Sequence, residues 1–214
     1  MAAVCGLILA AGASSRMGSD KAMLPWPADA PKGVAGKGMT LLSAAIVALK
    51  PFSDAVIVVA GENAAKLAPE IEEFGAIMVR NPAPERGQFS SLRIGLGAVL
   101  ARGYDAAMLT PVDCPPLSVV TLRRLREAFD KAREQGLWAV APQNCGRHGH
   151  PLLAGRALID AFLDAPEQSN AREVNRAHAQ RFAYVEVSDP YLSLDVNTPG
   201  EYAAVRAMAP GKRD

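Results

Sequence analysis

Apolar positions along this chain come in short unbroken runs, separated by longer stretches in which they return at every third or fourth place. The runs Val4–Leu9, Asp54–Val59, Ala76–Val79, Ala106–Leu109, Trp138–Ala141 and Phe182–Val187 predict strands covered on both faces. Between them, Glu62–Phe74 and Phe89–Leu100 have helical spacing, and Thr40–Leu49 predicts an amphipathic helix. Ser118 is a natural N-cap for a charged helix ending near Gln135. A last helix should follow Leu194–Pro199, with Thr198 as its cap and Pro199 opening it. Such alternation predicts an α/β fold, a mostly parallel sheet with helices on both sides. Ligands in such folds lie beyond the carboxyl ends of the strands, so Gly12, Asp113 and the residues after Val187 should meet.

At 214 residues the chain reads as one domain, 1–214, with neither repeat nor linker. Lys and Arg number 23 against 22 for Asp and Glu, a balance that argues against a nucleic-acid partner or a membrane surface. No apolar run is long enough to span a bilayer. No Lys or Arg precedes the first apolar run, so a secretory signal is not expected either. Cys5, Cys114 and Cys145 lie far apart and form no Cys-x-x-Cys pair, which supports neither a zinc knuckle nor a disulfide framework and fits a reducing cytoplasm. Pro25 to Gly38, rich in Pro, Gly and Lys, is read as a long mobile loop able to serve as a lid.

Chemistry concentrates where the first strand ends. Leu9-Ala10-Ala11-Gly12-Ala13-Ser14-Ser15-Arg16-Met17-Gly18-Ser19-Asp20-Lys21 passes from apolar to small residues and then brings two cations. Small residues let backbone N–H groups approach an anion; Arg16 adds a planar fork and Lys21 a mobile point charge. Together these parts suit a chain of phosphates. Neither a Gly-Lys-Ser/Thr loop nor a Gly-x-Gly-x-x-Gly fingerprint is present.

Elsewhere, Asp113 ends a buried strand in Leu109–Pro115, where it can meet a divalent cation or cap the turn. Asp195 and Asn197 stand before the last helix, either as further oxygen ligands or as caps. Ser90 and Ser91 sit at a helix start, where they can cap it or meet a polar ligand. His148 and His150 would share one face of a strand, but a hydrogen-bonding loop is favoured over a metal pair. His178 reads as surface.

Leu9–Lys21 resembles the signature loop of the molybdenum-cofactor nucleotidyltransferases, the MobA/MocA-like group of the nucleoside-triphosphate transferase superfamily. Ala11 is similar to the cytidylyl branch, as is Gly87–Leu92. The resemblance implies a Rossmann-like three-layer sandwich of the nucleotide-diphospho-sugar transferase type. It implies a cleft in which Leu9, Ala10, Ala11, Gly12, Ser14, Ser90 and Ser91 bind the nucleotide and Arg16 and Lys21 are catalytic. Magnesium would be held by Asp113 together with Asp195, favoured for its full charge, or Asn197. From the Gly-x-x-Gly-His-Pro segment, His150 and Pro151 would contact the acceptor. The implied reaction moves CMP from CTP onto molybdopterin and releases pyrophosphate, with a molybdoenzyme as a further partner. The Gly-Asp-x-Gly-Ala-Arg often read in the cytidylyl branch is reduced here to Ala171 and Arg172 within Glu167–Arg172, so the acceptor half is matched only in pieces. Two alternatives stay open: a sugar or polyol phosphate as acceptor, and a non-catalytic nucleotide-binding factor for molybdoenzyme assembly.

Overall fold

The computed structural model describes residues 3–12, 17, 20–26 and 38–208. Among the described residues eight strands form one sheet: β1 (Val4–Ala10), β2 (Ala55–Ala60), β3 (Ile77–Arg80), β4 (Ala106–Pro111), β5 (Ala139–Asn144), β6 (Arg147–His148), β7 (Leu152–Gly155) and β8 (Phe182–Glu186). The same residues hold seven α-helices: α1 (Leu41–Leu49), α2 (Ala64–Glu73), α3 (Gln88–Ala101), α4 (Val119–Glu134), α5 (Arg156–Asp164), α6 (Ala171–Ala177) and α7 (Pro199–Met208).

The strand order is β3-β2-β1-β4-β7-β5-β6, with β8 on β5. β1, β2, β3 and β4 run parallel, as does the β5–β8 pair. β7 is antiparallel to both β4 and β5, so the sheet is mostly rather than wholly parallel. Side chains of β1 alternate between two cores. Val4, Ile8 and Ala10 pack with α1, α2 and α4 on one face, whereas Cys5, Leu7 and Leu9 pack with α3 and α5 on the other. That double burial is why these strands read as unbroken apolar runs.

Three features depart from the sequence reading. β7 is only four residues long and buried throughout, too short to show a period, yet it lies between β4 and β5. Helices α5 and α6 also went unread. α1 is not amphipathic in its surroundings: Leu42, Ala45, Ile46 and Leu49 face the sheet core while Leu41 and Ala44 join a third cluster. That cluster contains Met17, Trp26, Met39, Val196 and Val205, so it ties α1 to the chain's last helix.

The predicted caps are present. The Ser118 hydroxyl accepts from the Thr121 N–H at 3.2 Å, and Thr198 Oγ1 accepts from the Glu201 N–H at 3.2 Å. Residues 27–37, most of the expected lid, lie outside the described residues. On either side of it, the Trp26 N–H donates to the Met39 carbonyl at 2.8 Å.

Candidate active site

The carboxyl ends of β1 and β4 open onto a cleft of about 320 Å³. Leu9, Ala10, Ala11 and Gly12 form one wall. Pro84, Gly87, Gln88 and Ser91 form another, and Pro111, Val112, Asp113 and Asn197 close it with Asp20 and Lys21. Gly12, Asp113 and a residue beyond Val187 therefore meet as the strand-end rule predicts. A Cβ on Gly12 would meet nothing within 4 Å, so this turn faces open space. Gly61 is the opposite case, since a Cβ there would lie 2.8 Å from the Ala11 carbonyl oxygen, a distance real side chains do not tolerate.

Lys21 is the centre of the polar wall. Its Nζ donates to Asn197 Oδ1 at 2.7 Å and to Asp113 Oδ2 at 3.2 Å. The residue opens a short 3-10 turn, Lys21–Met23, whose N-cap Asp20 accepts from the Ala22 N–H at 3.1 Å. Asp113 is fixed by the backbone on both sides: the Val112 N–H donates to the Leu9 carbonyl at 3.0 Å, and the Val196 N–H donates to the Asp113 carbonyl at 2.8 Å. Among the described lining residues the charged groups are Lys21, Asp20 and Asp113. A polyanion entering beside two carboxylates calls for an accompanying cation. The oxygen donors of Asp113 and Asn197 are the hard type that magnesium takes. Among the described residues no three His, Cys, Asp or Glu side chains cluster as a metal cage of their own.

Asp195 is not among the residues lining the cleft, and its Oδ1 accepts from the Cys114 thiol at 3.3 Å. Burial pushes the Cys114 pKa well up, and the charges of Asp195 and Asp113 push it the same way. His150 and Pro151 do not line the cleft. With Thr110, Cys114 and Leu117 they border a separate small pocket behind β4, against Leu49 of α1 and Leu122 of α4. Burial lowers the His150 pKa, opposed by a hydrogen bond to the Leu109 backbone and by the charges of Asp195 and Asp113. His150 Nδ1 is buried without a hydrogen-bond partner among the described residues. His148 does not share its face: it is exposed on β6 and stacks on Tyr184 at 4.1 Å between ring centroids. His178 is half-buried against Trp138 at 4.9 Å rather than free on the surface.

The serine pair divides. Ser91 is buried and lines the cleft, whereas Ser90 donates to the Gly87 carbonyl at 2.7 Å. Gly87 itself is the N-cap of α3, at φ +92°, a conformation glycine adopts without strain. Both hydroxyls accept from Asn81 Nδ2 at 2.9 Å, and Asn81 Oδ1 receives the Ala83 N–H at 2.9 Å. Ser14 and Arg16 lie outside the described residues.

Two residues that brace the cleft from behind its lining escaped the sequence reading, Asn63 and the buried Asn81. Asn81 directly follows β3 and Asn63 comes three residues after β2, and that placement beyond strand ends was the available signal. Asn63 Nδ2 donates to the Ala10 carbonyl at 3.0 Å and to Asp20 Oδ2 at 2.7 Å, while its Oδ1 accepts from the Gly61 N–H at 3.0 Å.

Residues 6–182 match the MobA-like NTP transferase domain, so the chain belongs to that family and is a nucleotidyltransferase. A molybdenum cofactor cytidylyltransferase from Escherichia coli (strain K12) is 27% identical over 207 residues, 96% of this chain and 97% of its own length. A probable molybdenum cofactor guanylyltransferase from Rhodopirellula baltica is 30% identical over 203 residues, covering 92% of this chain and 88% of its own. Among solved structures, a nucleotidyl transferase from Methanothermobacter thermautotroptrophicus superposes with a TM-score of 0.75 at 23% identity, covering 96% of each chain. It shares the fold.

Proposed function

We propose that this chain transfers a cytidylyl group from CTP to the terminal phosphate of molybdopterin. The observation that carries the reading is the meeting of Lys21, Asp113 and Asn197 at the mouth of a small-residue turn. The names of the two relatives support a molybdopterin acceptor, and Ala11 with the Ser90–Ser91 pair favours cytosine over guanine. In this reading an oxygen of the acceptor phosphate attacks the α-phosphorus, the bond from that phosphorus to the bridging oxygen breaks, and pyrophosphate departs. The acceptor is already an anion, so no proton has to be removed to make it a nucleophile. The work left to the protein is positioning and charge compensation.

Backbone N–H groups of Ala10 to Gly12 and the α3 N-terminus at Gly87 and Gln88 are the proposed orienting groups for the nucleotide. Lys21 and Arg16 are proposed to meet charge gathering on the phosphates. Asp113 and Asn197 are the proposed magnesium ligands, with Asp195 as the alternative second oxygen. The ion, when bound, supplies neutralisation of the phosphate oxygens and the leaving group. His150 and Pro151, behind β4, are proposed to touch the acceptor only along the edge that reaches Asp113.

The test is pyrophosphate release from CTP, GTP, ATP and UTP with magnesium, with and without molybdopterin. Release with CTP only, and only with molybdopterin, is expected. Release with GTP instead would reassign the base. Release with a sugar or polyol phosphate would reassign the acceptor, and tight binding without release would leave a nucleotide-binding assembly factor.

A further inference from the structure

Asn63 lies outside the set of cleft-lining residues, yet its carboxamide joins three separate pieces of the cleft's frame. Ala10, whose carbonyl it binds, is the last residue of β1; Gly61, whose N–H it receives, is the first after β2. The third partner, Asp20, caps the turn that carries Lys21. We propose that Asn63 is the positioning residue for Lys21, acting through Asp20. This inference rests on the functional reading above, in which Lys21 meets the triphosphate.

The chemistry of the partners explains why an asparagine stands there. Two acceptors, a carbonyl and a carboxylate, must be met by donors, and one N–H must be met by an acceptor. A carboxamide is an uncharged group that offers both kinds on adjacent atoms. Aspartate has no donor and would set a second carboxylate against Asp20; glutamine is one methylene too long for bonds of 2.7 to 3.0 Å. Asp20 is next to Lys21 in sequence and lines the same cleft. Held by Asn63 on one oxygen and by the Ala22 N–H on the other, its carboxylate is engaged away from the ammonium. Released, it becomes a rival to phosphate for the charge of Lys21. Asn63 therefore governs triphosphate affinity through a charge it never touches.

The experiment measures binding of CTP, and separately of GTP, with magnesium by isothermal titration to the full chain and to Asn63→Ala, Asn63→Asp, Lys21→Ala and Lys21→Ala/Asn63→Ala. Asn63→Ala and Asn63→Asp should each weaken binding about tenfold with an unchanged number of sites, the effect of losing a hydrogen bond to a charged group. The double variant should bind as Lys21→Ala does, within about twofold, because both changes interrupt one route. A structural role alone would lower the number of competent sites, or weaken the Lys21→Ala background by the same factor, and either result overturns the inference. Wild-type affinity in both Asn63 variants overturns it as well. Wild-type affinity in Lys21→Ala overturns the functional reading itself, and this inference with it. Asn63→Asp keeps the side chain's size and its acceptor for Gly61, so it serves where the alanine variant does not fold.

Discussion

Lys21 Nζ and Asn197 Oδ1 are 2.7 Å apart although 176 positions separate them in the chain. The bond joins the loop after the first strand to the segment before the last helix. Val196, flanked by Asp195 and Asn197, is fully buried in the same apolar cluster as Met17 and Trp26. That small cluster holds the two ends of the chain together, and the polar pair sits at its edge. Asp113 accepts from the same ammonium at 3.2 Å, so Lys21 occupies oxygens that a divalent cation would also seek.

Removing Lys21 should have opposite effects on the two ligands. Lys21→Ala is expected to lower turnover by about a hundredfold or more, the usual cost of losing one electrostatic donor. Manganese alone, titrated by spin resonance, should bind this variant more tightly than the wild type, since a neighbouring positive charge has gone. Equal or weaker manganese binding would show that Lys21 and the cation do not share Asp113.

The second metal oxygen can be assigned by comparing two variants. Asn197→Ala should raise the magnesium concentration for half-maximal rate by about tenfold, the scale of one lost charge-assisted contact. Asp195→Ala should raise it less, because its carboxylate is turned to the Cys114 thiol. A larger effect at Asp195, in a magnesium titration of the initial rate, would reverse the assignment.

The three thiols should differ sharply in reactivity. Cys145 is exposed, whereas Cys5 is buried and its pKa is pushed up to about 11. Burial, with Asp195 and Asp113 nearby, raises Cys114 well above its usual value of 9.0. A disulfide reagent at neutral pH should therefore modify Cys145 rapidly and the other two only on unfolding. Mass spectrometry of the quenched reaction reads this directly, and early labelling at Cys114 would contradict it.

His150 should make stability fall in mild acid. Burial lowers its pKa below the usual 6.5, so the folded chain keeps the ring neutral where the unfolded chain takes a proton. Between the two values the unfolded state binds more protons, and stability drops as pH falls, by at most about 1.4 kcal/mol per pH unit for one group. Urea unfolding from pH 7 to 5 should show this slope, and His150→Asn should flatten it. An unchanged slope in the variant would place the effect on other groups.

The parallel half of the fold was readable because β1, β2 and β4 are covered on both faces and so carry unbroken apolar sequence. β7 was not, since four buried residues after a proline have neither the length nor the alternation that marks a strand. The loop Leu9–Gly12 and Asp113 were legible as chemistry, and they line one cleft. His150 borders a second pocket with Thr110, Cys114 and Leu117, a placement that its short Gly-His-Pro segment did not reveal. Asn63 and Asn81 carried no motif; their importance comes from partners such as Asp20, 43 positions away, that only folding brings near.

Residues close in sequence determined the element types, the caps and the phosphate-suited loop, since periodicity and turn chemistry are set by neighbours along the chain. Which oxygen reaches Lys21, which serine faces the cleft and which pocket His150 borders were decided by tertiary packing. Those outcomes depend on side-chain direction at the ends of strands that are distant in sequence, and that direction is fixed only when the sheet and its two cores are assembled.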